Sequence, residues 1–350
     1  MYRRIYDQHF ASLWMATNAD FAQHSLAAHF HEQCDVRGRR TNRSDGRAPD
    51  VYKHTLERLD PLSGEIYAFQ KTIEQTPKSL CEKLYLRDLL FNAIHPKYPG
   101  SGLYVVGSTL NGFGSSASDM DLCLMITNQE LDQRVDAIIH LTHVMGILRD
   151  HSWVKDLDVI FAKVPILRAT FHAPFENIVV DLNANNSVAI RNTHLLAYYS
   201  GYDWRVRPLV CAVKAWAKQR GINNASQSSL TSYSLVLMEH YKEQFSPTRD
   251  IRQLEAGDRT PKGELLIGFF EYYAKTFDFD HQAISVRRGR AVRRADVSRC
   301  SRPTPPHAVY DERVFQCIKK SFEDASNTLK TKKTLEALLN VEPIDMLSGL

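Results

Sequence analysis

Residues 104–126, YVVGSTLNGFGSSASDMDLCLMI, restrict this chain more than any other stretch. An apolar run ends on Gly107 and Ser108, small and polar residues follow, and Asp119 and Asp121 then stand one residue apart at the head of a second apolar run. Acidic residues are disfavoured in strands, and two on one face repel each other unless a cation sits between them. Side chains alternate across a strand, so Asp119, Asp121, Cys123 and Met125 share one face, while Met120, Leu122, Leu124 and Ile126 make an apolar core face. The two carboxylates then lie roughly 7 Å apart. That spacing suits a hard cation, and Mg²⁺ takes one or two carboxylates together with phosphate oxygens.

The stretch NIVVDLN repeats the pattern. Ile178, Val180 and Leu182 form one face, and Val179, Asp181 and Asn183 the other, so Asp181 is again an acid in a strand that otherwise looks buried. Three carboxylates on neighbouring strands suit two metal ions, one activating a hydroxyl and one stabilising a leaving phosphate. The plainer alternative, Asp119 as a turn residue and Asp181 as a cap, is the weaker reading once the three acids and the Gly-Ser turn are taken together. Gly107 allows a tight turn after its strand, and the following amides and the Ser108 hydroxyl face a phosphate if a helix starts there. No G-x-x-x-x-G-K-[ST] occurs, so this is not a P-loop.

At 350 residues and 43% hydrophobic, the chain is long enough for two domains. A net charge of +4 permits a nucleic-acid substrate without arguing for one. The six cysteines are scattered and form no C-x-x-C, which points to reduced thiols inside a cell. No apolar run is long enough for a membrane span, and the first residues lack the apolar core of a signal peptide, so no membrane association is expected.

Along the chain, residues 1–36 have helix-compatible spacing and 37–50 read as a polar linker. A helix is expected over 64–94 and another over 128–150. GLYVVG, DVIFAKVPILRATF and NIVVDLNA read as strands, and from about Asn192 the chain is mainly helical. An α+β fold follows, with a ligand expected in the cleft between an α/β half and a helical half.

The segments VGSTLNGFGSSASDMDLCLMI, VVDLNANNSVAIRNTHLL, RPLVCAVKAWAKQRGIN, LTSYSLVLM and GELLIGFFEYYAKTFDFD together resemble a known family. They are similar, in order, to the non-canonical poly(A) and poly(U) polymerases of the DNA polymerase β-like nucleotidyltransferase superfamily. The likeness extends to the germline-development-defective type of cytoplasmic poly(A) polymerase. The resemblance implies a small mixed-sheet nucleotidyltransferase domain over 56–190 and a helical, poly(A)-polymerase-associated central domain over 191–350. Residues 1–55 lie outside it as an N-terminal extension and linker.

The same resemblance implies transfer of a nucleoside monophosphate, AMP from ATP first of all, to an RNA 3′ end with two Mg²⁺ ions (or Mn²⁺), releasing pyrophosphate. Asp119 and Asp121 would bind both ions. Asp181 would hold the catalytic ion and help deprotonate the attacking hydroxyl, and Gly107 and Ser108 would hold the triphosphate. Asn186 and Asn192 match asparagines near the nucleotide, with Asn192 at the ribose 2′-hydroxyl. Lys214 and Lys218, one turn apart on a helix, would meet the β- and γ-phosphates. Tyr233, preceded by Ser232, would stack under the base. Without the resemblance, Asn192 reads as an N-cap, the lysines as an ordinary surface helix and Tyr233 as a core residue.

The chain departs from the family pattern twice. SYSLVLM runs into EHYKEQFSPTRD, a swing from buried to polar placed at Glu239, and only PTPPHAV is left of an acidic base-contacting loop. Both departures suggest segments missing from this chain, and they leave the choice of base open. A terminal uridylyltransferase on the same scaffold is therefore an alternative. A catalytically inactive RNP scaffold is the alternative from another class, and three retained acids argue against it. The arginine-rich run 287–302 reads either as a guide for RNA phosphates or as a solvated loop. The histidines of HSLAAHFHEQC read as structural. Nothing resembles an RRM, KH or zinc-knuckle module, so an RNA-binding protein partner is expected to choose the RNA, and the expected location is the cytoplasm.

Overall fold

The computed structural model describes residues 60–129, 131–223, 229–242, 262–285, 290–293 and 312–344. The N-terminal extension, most of the arginine-rich run and PTPPHAV lie outside them.

The expected helix over 64–94 is two helices, α1 (Pro61–Ile73) and α2 (Pro77–Ile94). Proline disfavours helical backbone in the residue before it, so Thr76 leaves the helix and caps the next one, accepting from the Ser79 amide at 3.1 Å. Asp60 caps α1 in the same way, accepting from the Ser63 amide at 3.0 Å, again with proline at the first helical position.

The break separates two cores. Leu62 and Ile66 of α1 join the helical core around Trp216, Phe269 and Phe322, whereas Leu86, Leu90 and Ile94 of α2 join the sheet core. The chain therefore crosses from one half to the other between Glu74 and Thr76, and α1, within the span expected for the sheet half, packs on the helical side.

The strands are β1 (Gly102–Val106), β2 (Met120–Met125), β3 (Val154–Ile160), β4 (Ile166–Phe171) and β5 (Val180–Ala184), in the order β1-β2-β5-β4-β3. DVIFAKVPILRATF is thus a β3–β4 hairpin. The β2–β5 pair is parallel and the other pairs are antiparallel, so the sheet is mixed as expected. Parallel strands need a long crossover, which here carries α4 (Asp136–Arg149) and the β3–β4 hairpin, while the short helix α3 (Ser108–Asn111) lies between β1 and β2. Ala137, Leu141, Val144 and Leu148 form the buried stripe of α4, and this helix begins at Asp136 rather than at 128.

The helical half comprises α5 (Ser187–Tyr202), α6 (Val206–Gln219), α7 (Ser232–Lys242), α8 (Lys262–Glu271), a π-helical turn (Tyr272–Thr276), α9 (Glu312–Lys332) and α10 (Leu335–Leu339). It starts at Ser187, a few residues before the expected change of character. It also includes an unexpected hairpin, β6 (Gln282–Ser285) and β7 (Arg290–Arg293), the latter inside the arginine-rich run. Glu239 is buried within α7, so the swing to polar surface does not occur at that residue. No described helix is long and apolar enough to cross a membrane.

Candidate active site

The parallel register puts Asp121 of β2 directly beside Asp181 of β5, with Leu122 beside Leu182. Adjacent strands lie about 4.8 Å apart, so two acids far apart in sequence become nearest neighbours on the polar face. Met120, Leu122 and Leu124 of β2 and Val180 and Leu182 of β5 fill the sheet core, as the alternation predicts. Asp119 stands just before β2 with its side chain 51% exposed, whereas that of Asp181 is 14% exposed. Asp121 is pushed up to about 6, first by burial and then by the charges of Asp181 and Asp119; Lys83 and the Ser108 amide, which donates to it, act the other way.

Two cations offset this acidity, and neither was picked out from the sequence. Arg168 of β4 is the register partner of Asp181 and grips it with both arms of its guanidinium, Nε to Oδ1 at 2.8 Å and Nη2 to Oδ2 at 2.7 Å. The same Nη2 lies 4.0 Å from Asp119. The hydrogen bond to Asp181 and the nearby acids hold this guanidinium still further above its ordinary value. Lys83, only 1% exposed, lies behind the acids. Burial pushes its ammonium down, while Asp119 and Asp121 pull it back up.

Both residues leave a signal in the sequence. Arg168 is a charge between Leu167 and Ala169 in a strand, the same reasoning that finds Asp181. Lys83 occupies the apolar stripe of α2 in line with Leu86, Leu90 and Ile94.

The Gly107 turn is built for close approach. Its φ of 69° and ψ of −148° belong to glycine, and a Cβ there would lie 2.1 Å from Oδ2 of Asp121. The Gly107 amide donates to Thr193 Oγ1 at 2.8 Å, and that hydroxyl donates to the Ala189 carbonyl at 2.7 Å, tying the turn to α5. A helix does start at Ser108, but it is four residues long. The Ser108 amide donates to Asp121.

From the helical side, Lys214 of α6 reaches across to donate to the Phe113 carbonyl at 2.9 Å, in the loop that follows the turn. Burial lowers its affinity for its proton. Lys218 lies one turn further on and is exposed. Asn186 is the N-cap of α5, accepting from the Ala189 amide at 3.3 Å. Asn192 lies in the second turn of that helix and is therefore no cap. Ser232 is exposed and donates to Asn223 Oδ1 at 3.2 Å. Tyr233 is half-buried against a small cluster that includes Phe113, Tyr199 and Val236, so it stands beside the same loop.

The structure thus gathers the three acids and the Gly107 turn at one place and brings Lys214 to their loop. Among the described residues, no three His, Cys, Asp or Glu side chains are close enough together to hold a metal ion as they stand. The donor set nevertheless fits a hard divalent cation. Like charges crowd one face, one of these acids holds its proton tightly, and a guanidinium sits where positive charge is called for.

Residues 62–201 match the family model described as poly(A) RNA polymerase, mitochondrial-like, central palm domain, and residues 263–310 match Cid1 family poly A polymerase. The second match runs through PTPPHAV. Poly(A) RNA polymerase gld-2 of Caenorhabditis elegans is 42% identical over 400 residues, covering 89% of this chain and 36% of that protein. Those 400 residues exceed the 350 of the whole chain, so the worm protein carries intervening residues that this chain lacks. Poly(A) RNA polymerase GLD2 of Homo sapiens is 34% identical over 329 residues, covering 81% of this chain and 68% of that protein. The chain therefore spans between 36% and 68% of the length of these two relatives.

A solved GLD-2/RNP-8 complex superposes with a TM-score of 0.71 at 49% identity, covering 81% of this chain and 98% of the other. A structure of Cid1, which has RNA terminal uridylyl transferase activity, shares the fold at a TM-score of 0.65 and 24% identity, covering 81% of this chain and 98% of its own. With its mixed sheet, its ordered segments and an alignment that covers most of the human protein, this chain belongs to the GLD2 family of poly(A) RNA polymerases.

Proposed function

We propose that this chain transfers AMP from ATP to the 3′-hydroxyl of an mRNA without a template, releasing pyrophosphate. The observation that carries this reading is the pairing of Asp121 with Asp181 across β2 and β5, with Asp119 at the strand mouth and the Gly107 turn against Asp121. Two Mg²⁺ ions held by the acids would supply charge to activate the 3′-hydroxyl and to neutralise the leaving pyrophosphate. The bond from the 3′ oxygen to the α-phosphorus forms as the bond from that phosphorus to its bridging oxygen breaks, and the hydroxyl proton passes to Asp181.

Asp119 and Asp121 would hold both ions, and Asp181 the catalytic one. Arg168 fixes the plane of the Asp181 carboxylate. The Ser108 hydroxyl and the Gly107 turn receive the triphosphate, and the exposed Lys218 brings a mobile charge to its far phosphates. Lys214, turned toward Phe113, keeps the loop in place and would bring a second charge to the same phosphates. Asn192 contacts the ribose, and Asn186 shapes the entry to α5 beside it. Tyr233, with Ser232 before it, offers its ring to the base.

A relative is solved in complex with a second protein, RNP-8. That supports a division of labour in which this chain supplies the chemistry and an RNA-binding partner protein chooses the RNA. The setting is cytoplasmic polyadenylation.

The test is extension of a labelled oligo(A) RNA with Mg²⁺ and each nucleoside triphosphate in turn. Long products with ATP alone support the reading. Products with UTP instead make the chain a uridylyltransferase. A folded chain that extends nothing, with or without its partner, is a scaffold.

A further inference from the structure

Four hydrogen-bonded groups beneath the loop over 107–119 form one chain. Lys83 Nζ donates to the Ser118 carbonyl at 2.7 Å, the residue immediately before Asp119, and to Gln75 Oε1 at 3.2 Å. The same Gln75 amide donates through Nε2 to the Thr109 carbonyl at 3.0 Å, next to Ser108. One partly buried path, Thr109–Gln75–Lys83–Ser118, therefore links the phosphate turn to the acids. The middle of the loop rests on the same support: Glu74 pairs with Ser115 as a β-bridge, and the Thr76 amide donates to Ser116 Oγ at 3.1 Å.

A lysine with 1% exposure is costly to bury. The sheet core would accept an apolar residue on that stripe of α2, so the packing of the helix does not explain the charge. Its two partners and its position behind Asp119 and Asp121 do. Gln75 also lies at the crossing between the two cores, so the support is anchored where the two halves of the chain meet.

We propose that Gln75 and Lys83 are positioning residues, a strut under the loop that sets the distance between the phosphate turn and the catalytic aspartates. The strut touches neither nucleotide nor RNA. It acts on the alignment of the α-phosphate with the acids, and to that extent rests on the transfer reaction proposed above.

The experiment compares the unaltered chain with Lys83→Met and Gln75→Met. Extension kinetics with ATP and Mg²⁺, ATP affinity without RNA, and amide hydrogen exchange over 108–118 are read on the same preparations. In each folded variant kcat is expected to fall roughly 10²-fold, the cost of an ångström-scale misplacement. ATP affinity stays within about three-fold, a split that general loosening would not give. Exchange over 108–118 rises while exchange in the helical core is unchanged.

A folded Lys83→Met chain with kcat within about two-fold of the unaltered value overturns the strut, as does unchanged exchange in the loop. If Lys83→Met does not fold, the half-buried Gln75 decides through Gln75→Met. If the unaltered chain extends no RNA, the transfer reaction fails by itself, and the exchange measurement alone supports or overturns the strut.

Discussion

Gly107→Ala tests the geometry of the site at its tightest point. The backbone at φ 69° and ψ −148° lies in a region that essentially only glycine occupies, and holding another residue there costs about 1–3 kcal/mol. The new Cβ would also stand 2.1 Å from Asp121 Oδ2 and 2.9 Å from its Cγ. Asp121 is on a central strand with its neighbours in register on both sides, Val106 and Asp181, so the clash is relieved only by turning the carboxylate or lifting the turn. Either movement misplaces a proposed catalytic group by about an ångström, a displacement worth about 10²-fold in rate. The variant is expected to melt a few degrees lower, at roughly 2–4 °C per kcal/mol, and to extend RNA about 10²-fold more slowly. Thermal melts and single-turnover extension read the two effects separately. An unchanged melt would refute the strain. A lower melt with extension within about two-fold of the unaltered rate would refute the placement of Asp121 in the chemistry.

Asp121 also predicts a pH dependence. Its pKa in the fold, about 6, is above the ordinary 3.8, so the stability it contributes is full below about 4 and is lost as pH rises through about 6. Asp121→Asn should therefore abolish extension yet stabilise the metal-free chain at pH 7.5 by on the order of 2 kcal/mol. It should change little at pH 4, and urea melts at the two pH values check both. Arg168→Gln removes the cation on Asp181; because that side chain is 43% exposed, the loss in stability should be about 1 kcal/mol. Added Mg²⁺ should then raise the melting temperature of the variant more than that of the unaltered chain, and an equal rise would show that Arg168 does not stand in for a cation. Lys218→Ala should mainly raise KM for ATP, and an unchanged KM would remove this helix face from the phosphates. Asp119→Ala and Asp181→Ala should each end extension in a chain that still melts cooperatively.

Much of this protein follows from interactions within a few residues. Alternation along β2 and β5 separates the acids from the core face because successive side chains must point opposite ways. Asp60-Pro61 and Thr76-Pro77 carry the start signals of two helices, and the single helix expected over 64–94 overlooks the second of them. Gly107 marks the turn because no other residue tolerates its backbone. The order of motifs was enough to place the chain in its family.

Other features depend on which distant segments come together. Asp121 meets Asp181 only because β2 and β5 run parallel, a register held by the crossover packed behind them rather than by either strand. Arg168 becomes the cation on Asp181 through a second pairing, the antiparallel register of β4 against β5, though its own neighbours are ordinary strand residues. Lys83 looks like a misplaced charge on an apolar stripe until the chain brings Ser118, 35 positions away, over its ammonium. Lys214 reaches Phe113 across 101 positions. Residue type and local spacing set which groups are polar, which are buried and where the chain turns. The distances at which chemistry occurs come from packing two cores against each other, and no short window of sequence contains them.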